Sequence, residues 1–283
     1  AAGVFLRGDL ATVAYTTVRG DTVEMLTGGI YRFNGESIAA EGIGWDLVTL
    51  LGVVPALLVS LPGLRRGSTR AVLFVIGLLA YFSYQYAEYA MALAYGPLFL
   101  VYVATFALSL SALGLILGGL DLERIAASVD ERFPRRGATG FGILMAVLLT
   151  GMWLPLVARS ATAASVPELN GGTTLVVQAF DLGFLVPLGL LTAVAAWRRL
   201  AVGYVLAPLV LVKGAAMGAA IAAMLVVEAI VTGVVQPVPI AVFAGVSVVS
   251  IVIGVRVFAS VGVLPHLAGT PTTGSMAHRV ATG

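Results

Sequence analysis

The chain has 283 residues, of which 59% are hydrophobic and 11% charged, with a formal net charge of +2 and no cysteine. Soluble domains run near ~25% charged, so this composition belongs to an integral membrane protein, and the small positive excess gives no basis for nucleic-acid binding. The absence of thiols excludes disulfides, Fe–S clusters and thiolate metal sites. The two histidines, His266 and His278, stand in the C-terminal tail, where they form no membrane-embedded pair to ligate a haem.

The chain starts at Ala1 without an initiator methionine, as expected after removal of a signal peptide or for a sequence that lacks one upstream helix. Residues 1–43 are read as a small extracytoplasmic cap. Within them Ala11–Val18 alternates in β-like fashion, turns at Arg19-Gly20-Asp21 and resumes at Thr22–Leu26, which predicts a hairpin. The Arg-Gly-Asp triplet is read as that hairpin's turn and not as an adhesion signal. A second turn is expected at Asn34-Gly35.

A membrane-crossing helix needs about 20 apolar residues, and seven segments qualify, giving an all-α bundle over residues 44–261. They are spans A (45–64), B (71–94), C (97–120), D (140–157), E (175–197), F (202–231) and G (239–261). Between C and D, residues 121–136 place Leu122, Ile125, Ala126, Val129 and Phe133 at helical spacing, which predicts a short amphipathic helix on the membrane surface. Residues 262–283, rich in Gly, Thr, Pro and Ala, read as a flexible tail. Pro55, Pro155, Pro187 and Pro208 are expected to kink their helices, with Pro187 and Pro208 marking a hinge or a discontinuous helix. Gly214, Gly218 and Ala222 form a small-residue face on F for close helix packing. No tandem repeat is legible.

Arginine placement predicts the orientation. Arg65, Arg66 and Arg70 lie between A and B. Arg124, Arg132, Arg135 and Arg136 lie between C and D, and Arg198 and Arg199 between E and F. The B–C and F–G connections carry no basic residue, and D–E carries only Arg159. The positive-inside rule puts the arginine-rich loops in the cytoplasm, the N-terminus outside and the C-terminus inside, in a multi-pass protein of the cytoplasmic membrane. Trp45 and Trp197 fall at expected interfaces.

Lys213 is the only lysine, and it sits in the middle of apolar span F. A charge at the bilayer centre costs at least about 2.5–3.5 kcal/mol on insertion scales, so the ammonium must face protein or water. Span B carries Tyr81, Tyr84, Gln85 and Glu88 along one helical face, predicted to point toward C, E and F. Span C offers Tyr102, Thr105 and Ser109, and span E offers Gln178 and Asp181. At ~1.5 Å per residue, Lys213, Asp181 and Glu88 all fall in the outer half of the membrane, which predicts a polar chamber there. Asp181 is the favoured counter-ion of Lys213 and Glu88 its competitor. Thr105 and Ser109 are expected to bond their own helix.

The stretches Tyr81–Tyr89, Gly96–Leu113 (opening Gly-Pro-Leu-Phe-Leu-Val-Tyr), Asp181–Pro187 (Asp-Leu-Gly-Phe-Leu-Val-Pro) and Gly203–Gly214 resemble a family of uncharacterised prokaryotic polytopic membrane proteins of seven to eight spans. The resemblance covers much of the bundle and implies no activity. Microbial rhodopsins also bury a lysine, but theirs stands in the last helix with an aspartate four residues before it, and here that position is Leu209 in span F.

Three functions compete at this stage. The first is transport or binding of a small anionic or zwitterionic molecule by Lys213, Gln85 and the span B tyrosines, with Asp181 or Glu88 coupling protons. The second is a non-catalytic subunit that docks a membrane partner or a second copy through the cap and the apolar span G. The third is a lipid- or isoprenoid-modifying enzyme using the same acids and Lys213. It is disfavoured because no paired acidic motif is present to hold Mg²⁺. The cofactor is left unassigned. Impermeant maleimide added outside intact cells should label Gly20→Cys and Val166→Cys and spare Ser68→Cys. The reverse pattern would overturn the orientation.

Overall fold

The computed structural model describes residues 11–17, 20–162, 169 and 172–262. Both histidines, the tail beyond residue 262 and the first ten residues of the cap lie outside the described residues.

The cap's alternating segments pair as an antiparallel hairpin, β1 (Thr12–Thr16) and β2 (Thr22–Leu26), with Thr12 opposite Leu26 and Thr16 opposite Thr22. Gly20 closes the turn at φ +90°, where a side chain would be strained. The hairpin is tied to the bundle through the chain that follows it. The Asn34 side-chain oxygen accepts from the Ala94 N–H, and the Tyr31 hydroxyl donates to Asp46 Oδ2 at 2.7 Å. Burial pushes the Tyr31 hydroxyl well above the ordinary phenol range, and the neighbouring Asp46 charge adds to it, so Tyr31 stays a donor.

Among the described residues eight helices follow: α1 (Glu36–Arg65), α2 (Thr69–Ala92), α3 (Phe99–Gly118), α4 (Leu122–Ala127), α5 (Arg135–Thr162), α6 (Val176–Trp197), α7 (Gly203–Thr232) and α8 (Pro237–Ser260). All except α4 are long and apolar enough to cross a membrane, and the molecule is a helical membrane bundle carrying one small two-stranded sheet. The polar residues Glu36, Ser37 and Glu41 belong to α1, which begins about two turns before the expected Trp45 and shortens the cap accordingly. At ~1.5 Å per residue, 30 residues extend beyond a ~30 Å hydrocarbon core. The projecting turns are satisfied by the far end of α7: Ser37 Oγ donates to Glu228 Oε1, and Gln236 Nε2 donates to Glu228 Oε2.

The expected amphipathic helix over 121–136 is cut to α4, a six-residue piece capped by Asp121, whose side chain accepts the Arg124 N–H. The segment beyond it is held otherwise: Val129 pairs with Val261 in a β-bridge, and the Asp130 N–H donates to the Ser260 carbonyl. Ile125 and Phe133 still enter the core, beside Val205, Val257 and Val261.

The central pair is α2 and α7. Gly77 of α2 packs against Val212 of α7, and only hydrogen at that position allows the approach: a Cβ there would lie 2.5 Å from Val212 Cβ. Outside the pair, α3 lies along α2 and α8 along α7, while α5 packs on the second half of α6. The small-residue face of α7 meets α8, since a Cβ on Gly218 would stand 2.7 Å from the Phe243 carbonyl oxygen.

Two helices carry a π-helical turn at matching places. In α1 the turn spans Thr49–Val53 and precedes Val54-Pro55; in α6 it spans Asp181–Leu185 and precedes Val186-Pro187. Proline lacks an N–H and its ring collides with the carbonyl four residues back, and one extra residue in the preceding turn relieves that collision. Pro208, by contrast, sits in unbroken α-helix, so no discontinuity marks α7 beside Lys213.

The helix contacts make a direct prediction. Gly218→Val should separate α7 from α8 and destabilise the protein by about 1–3 kcal/mol. Gly245→Ala, on a face with nothing within 4 Å of the added carbon, should leave thermal unfolding in detergent nearly unchanged. Equal behaviour of the two variants would contradict this packing.

A buried polar chamber

The chamber forms because α2, α6 and α7 each turn one polar segment away from lipid. The middle of α2, from Leu78 to Gln85, is buried without interruption. Glu88, Gln85, Asp181 and Lys213 are 8%, 3%, 5% and 5% exposed, so all four are removed from the lipid-facing surface. They line a cavity of ≈ 610 Å³ together with Tyr84 and Gln178. Its lining also includes Ile38, Glu41, Leu93, Thr173, Gln236 and Pro239, so it extends to the hairpin end of the bundle.

Asp181 is the best-anchored acid. Its Oδ1 accepts from the Tyr84 hydroxyl and its Oδ2 accepts from Trp153 Nε1 at 2.7 Å. Both carboxylate oxygens are thus held by neutral donors at the first residue of the α6 π turn. Lys213 is held differently. Its Nζ lies 3.8 Å from the centroid of the Tyr84 ring and donates to the thioether sulfur of Met217. A ring face attracts an ammonium through its quadrupole, and a thioether is only a feeble acceptor. The charges of Glu88 and Asp181 both reach Lys213, yet among the described residues neither acid forms an ion pair with it. Asp181, expected as the direct counter-ion, meets Lys213 through Tyr84, which offers its hydroxyl to the acid and its ring to the ammonium.

Two acceptors complete the chamber. Gln85 Oε1 and Glu88 Oε1 are buried and receive no hydrogen bond from the described residues, although the Tyr84 hydroxyl also reaches the Glu88 carboxyl group. Such groups are exceptions in folded proteins, because a buried acceptor left unsatisfied costs about 1–3 kcal/mol. Among the described residues no group of three or more acids or histidines is placed to hold a metal ion.

Six of the eight residues singled out in the sequence therefore meet at one cavity, and two lie elsewhere. Tyr81 is fully buried about one turn deeper, its hydroxyl 2.6 Å from Thr49 Oγ1 and its ring stacked on Trp45. Tyr102 belongs to α3, which lies behind α2, and packs edge-on against Tyr89 at 5.1 Å. The polar face of α2 therefore looks toward α6 and α7 and not toward α3. On that rear side Ser83 donates to the Leu79 carbonyl, with Ser109 Oγ 3.1 Å away. Ser109 and Thr105 bond carbonyls of their own helix, at Phe106 and Val101.

Trp153 escaped the sequence reading. The available signal was an indole N–H inside apolar span D, about one turn short of its expected end, where it must find an acceptor.

The fold and the chamber define a multi-pass membrane protein with an internal polar cavity. The chain matches no family model, no curated protein and no solved structure. The resemblance noted in the sequence is therefore carried only as far as seven long apolar helices reach, to a polytopic membrane protein.

Tyr84→Phe keeps the ring beneath Lys213 and removes one donor from Asp181. It should destabilise the protein by about 1–3 kcal/mol, as should Trp153→Phe. Unchanged unfolding of both variants would mean that Asp181 is not held as described.

Proposed function

We propose that the protein binds, and carries across the membrane, a small anionic or zwitterionic molecule that enters the chamber from the hairpin end and meets Lys213. The observation that carries this reading is the surroundings of Lys213: a buried ammonium that lines a cavity and has a ring and a thioether, but among the described residues no carboxylate, in direct contact. An ion pair serving only the fold would be expected to close on itself, because a buried pair offsets its desolvation only with close geometry. Transport is favoured over static binding by the two π turns, features that recur at functional sites in helices. One of them begins at Asp181 in the chamber wall, and the other at Thr49 beside Tyr81. Asp181 and Glu88 are the groups on which proton coupling would rest.

The reading is tested by neutralising the chamber. Breaking a buried charge arrangement by one partner typically costs about 3–5 kcal/mol, whereas replacing both partners with apolar residues is often neutral. Lys213→Met and Asp181→Leu should each lower stability, and the double variant should recover most of it. Small molecules extracted from purified protein should then include a species that accompanies the wild type and is missing from the stable double variant. Identical extracts from the two would remove the functional role of Lys213 and leave a structural one.

A further inference from the structure

We infer that the ligand is a zwitterion, a molecule with a primary ammonium and a carboxylate on an apolar body, of which an apolar amino acid is the simplest form. The inference rests on the chamber being a ligand site and specifies the chemistry of what fills it.

The chamber groups that lack a full partner among the described residues are of two opposite kinds. Gln85 Oε1 and Glu88 Oε1 are acceptors, three residues apart on one face of α2, and they call for a donor with several N–H bonds. Lys213 Nζ on α7 is a donor with three N–H bonds and no oxygen acceptor, and it calls for an anion. Asp181 already accepts on both oxygens, from Tyr84 and Trp153, which leaves Glu88 the less occupied acid.

A simple anion would satisfy Lys213 but bring a further negative group into a cavity already lined by Glu88, Asp181 and Glu41, and it would leave both acceptors bare. A simple amine would satisfy Glu88 and Gln85 and add a second ammonium to the lysine. Only a ligand with both ends supplies what both sides lack, and its two charges cancel, so its entry adds no net charge to the membrane interior. The rest of the wall suits an apolar body: Met145, Leu149, Ile221, Leu225, Phe243 and Val246 line the same cavity. The volume of ≈ 610 Å³ lies inside the ~300–1,000 Å³ range of small-molecule sites.

The test uses the full chain in lipid nanodiscs and measures equilibrium binding of alanine, leucine and phenylalanine. It adds 4-methylpentanoate, which is leucine without its ammonium, and 3-methylbutylamine, which is leucine without its carboxylate. Leucine or phenylalanine should bind at least about 10-fold more tightly than either one-ended analogue, the factor expected for one hydrogen-bonded charge. Glu88→Gln should narrow the gap between leucine and 4-methylpentanoate, a readout of selectivity that loss of fold cannot imitate. The wild-type series stands alone should that variant not fold. If 4-methylpentanoate binds as tightly as leucine, the zwitterion is overturned and an anion site remains. Equal binding of 3-methylbutylamine would likewise overturn it, in favour of a cation. If nothing in the series binds, the zwitterion falls. A molecule that still accompanies the wild type, and is lost with Lys213 and Asp181, would keep the wider reading of the chamber intact.

Discussion

The bundle is organised around the solvation of one ammonium within apolar helices. Lys213 sits in an apolar stretch of its helix, between Val212 and Gly214, and among the described residues no carboxylate is in contact with it. What stabilises it is the face of Tyr84 together with the charges of Glu88 and Asp181, and the Tyr84 hydroxyl is in turn held on Asp181. Asp181 is fixed in turn by Trp153. The chain of contacts runs from α7 to α2, to α6 and to α5, so four membrane helices are ordered by the surroundings of a single charge. The close approach of α2 to α7 at Gly77 is part of the same arrangement, since a side chain there would hold the two helices apart.

Polar burial on this scale also explains which helices lie at the edge. The candidate span in α2 is mostly buried, while α3 exposes Leu100, Leu108 and Leu115 at more than two-thirds of their surface. A helix that carries Tyr84, Gln85 and Glu88 cannot meet lipid on that face, whereas α3 carries no charged or amide side chain, and its Thr105 and Ser109 hydroxyls bond carbonyls of their own helix. The position of a helix in the bundle thus follows from the polar groups it must hide.

Much of this was legible in the sequence, and the misses have physical causes. Apolar runs of sufficient length located all seven spans within a few residues, except where polar residues extend a helix beyond the bilayer. The first turns of α1 carry Glu36, Ser37 and Glu41, which read as loop until Glu228 is seen to meet Ser37 from 191 positions away. Helical spacing placed Tyr81 with Tyr84, Gln85 and Glu88, since all four share a face, but spacing gives azimuth and not depth. One turn deeper, the neighbours of Tyr81 are Trp45 and Thr49 instead of the cavity. Tyr102 lies outside the cavity for a related reason: no pattern within span C says which side of α2 it will occupy. The counter-ion of Lys213 was sought as an oxygen, and the surroundings of the ammonium proved to be a ring that relays an oxygen.

The correspondence between α1 and α6 was invisible as a repeat, because the two helices share little beyond a polar residue six positions ahead of a proline, Thr49 before Pro55 and Asp181 before Pro187. In the fold each polar residue opens a π turn and hydrogen-bonds a tyrosine of α2, Thr49 with Tyr81 and Asp181 with Tyr84. The first half of α1 packs on α7 and its second half on α2. The first half of α6 packs on α2 and its second half on α7. The two broken helices therefore cross the central pair in opposite senses, and both are pinned to α2 within one of its turns. Tyr81 and Tyr84 stand only three residues apart, so a shift of either π turn is felt on the same stretch of α2 that carries Gln85 and Glu88. Tyr84 belongs to both systems, for the hydroxyl that pins α6 sits on the ring that faces Lys213. The ammonium and the α6 π turn consequently cannot move independently: any rearrangement at Asp181 changes the orientation of the surface on which Lys213 rests.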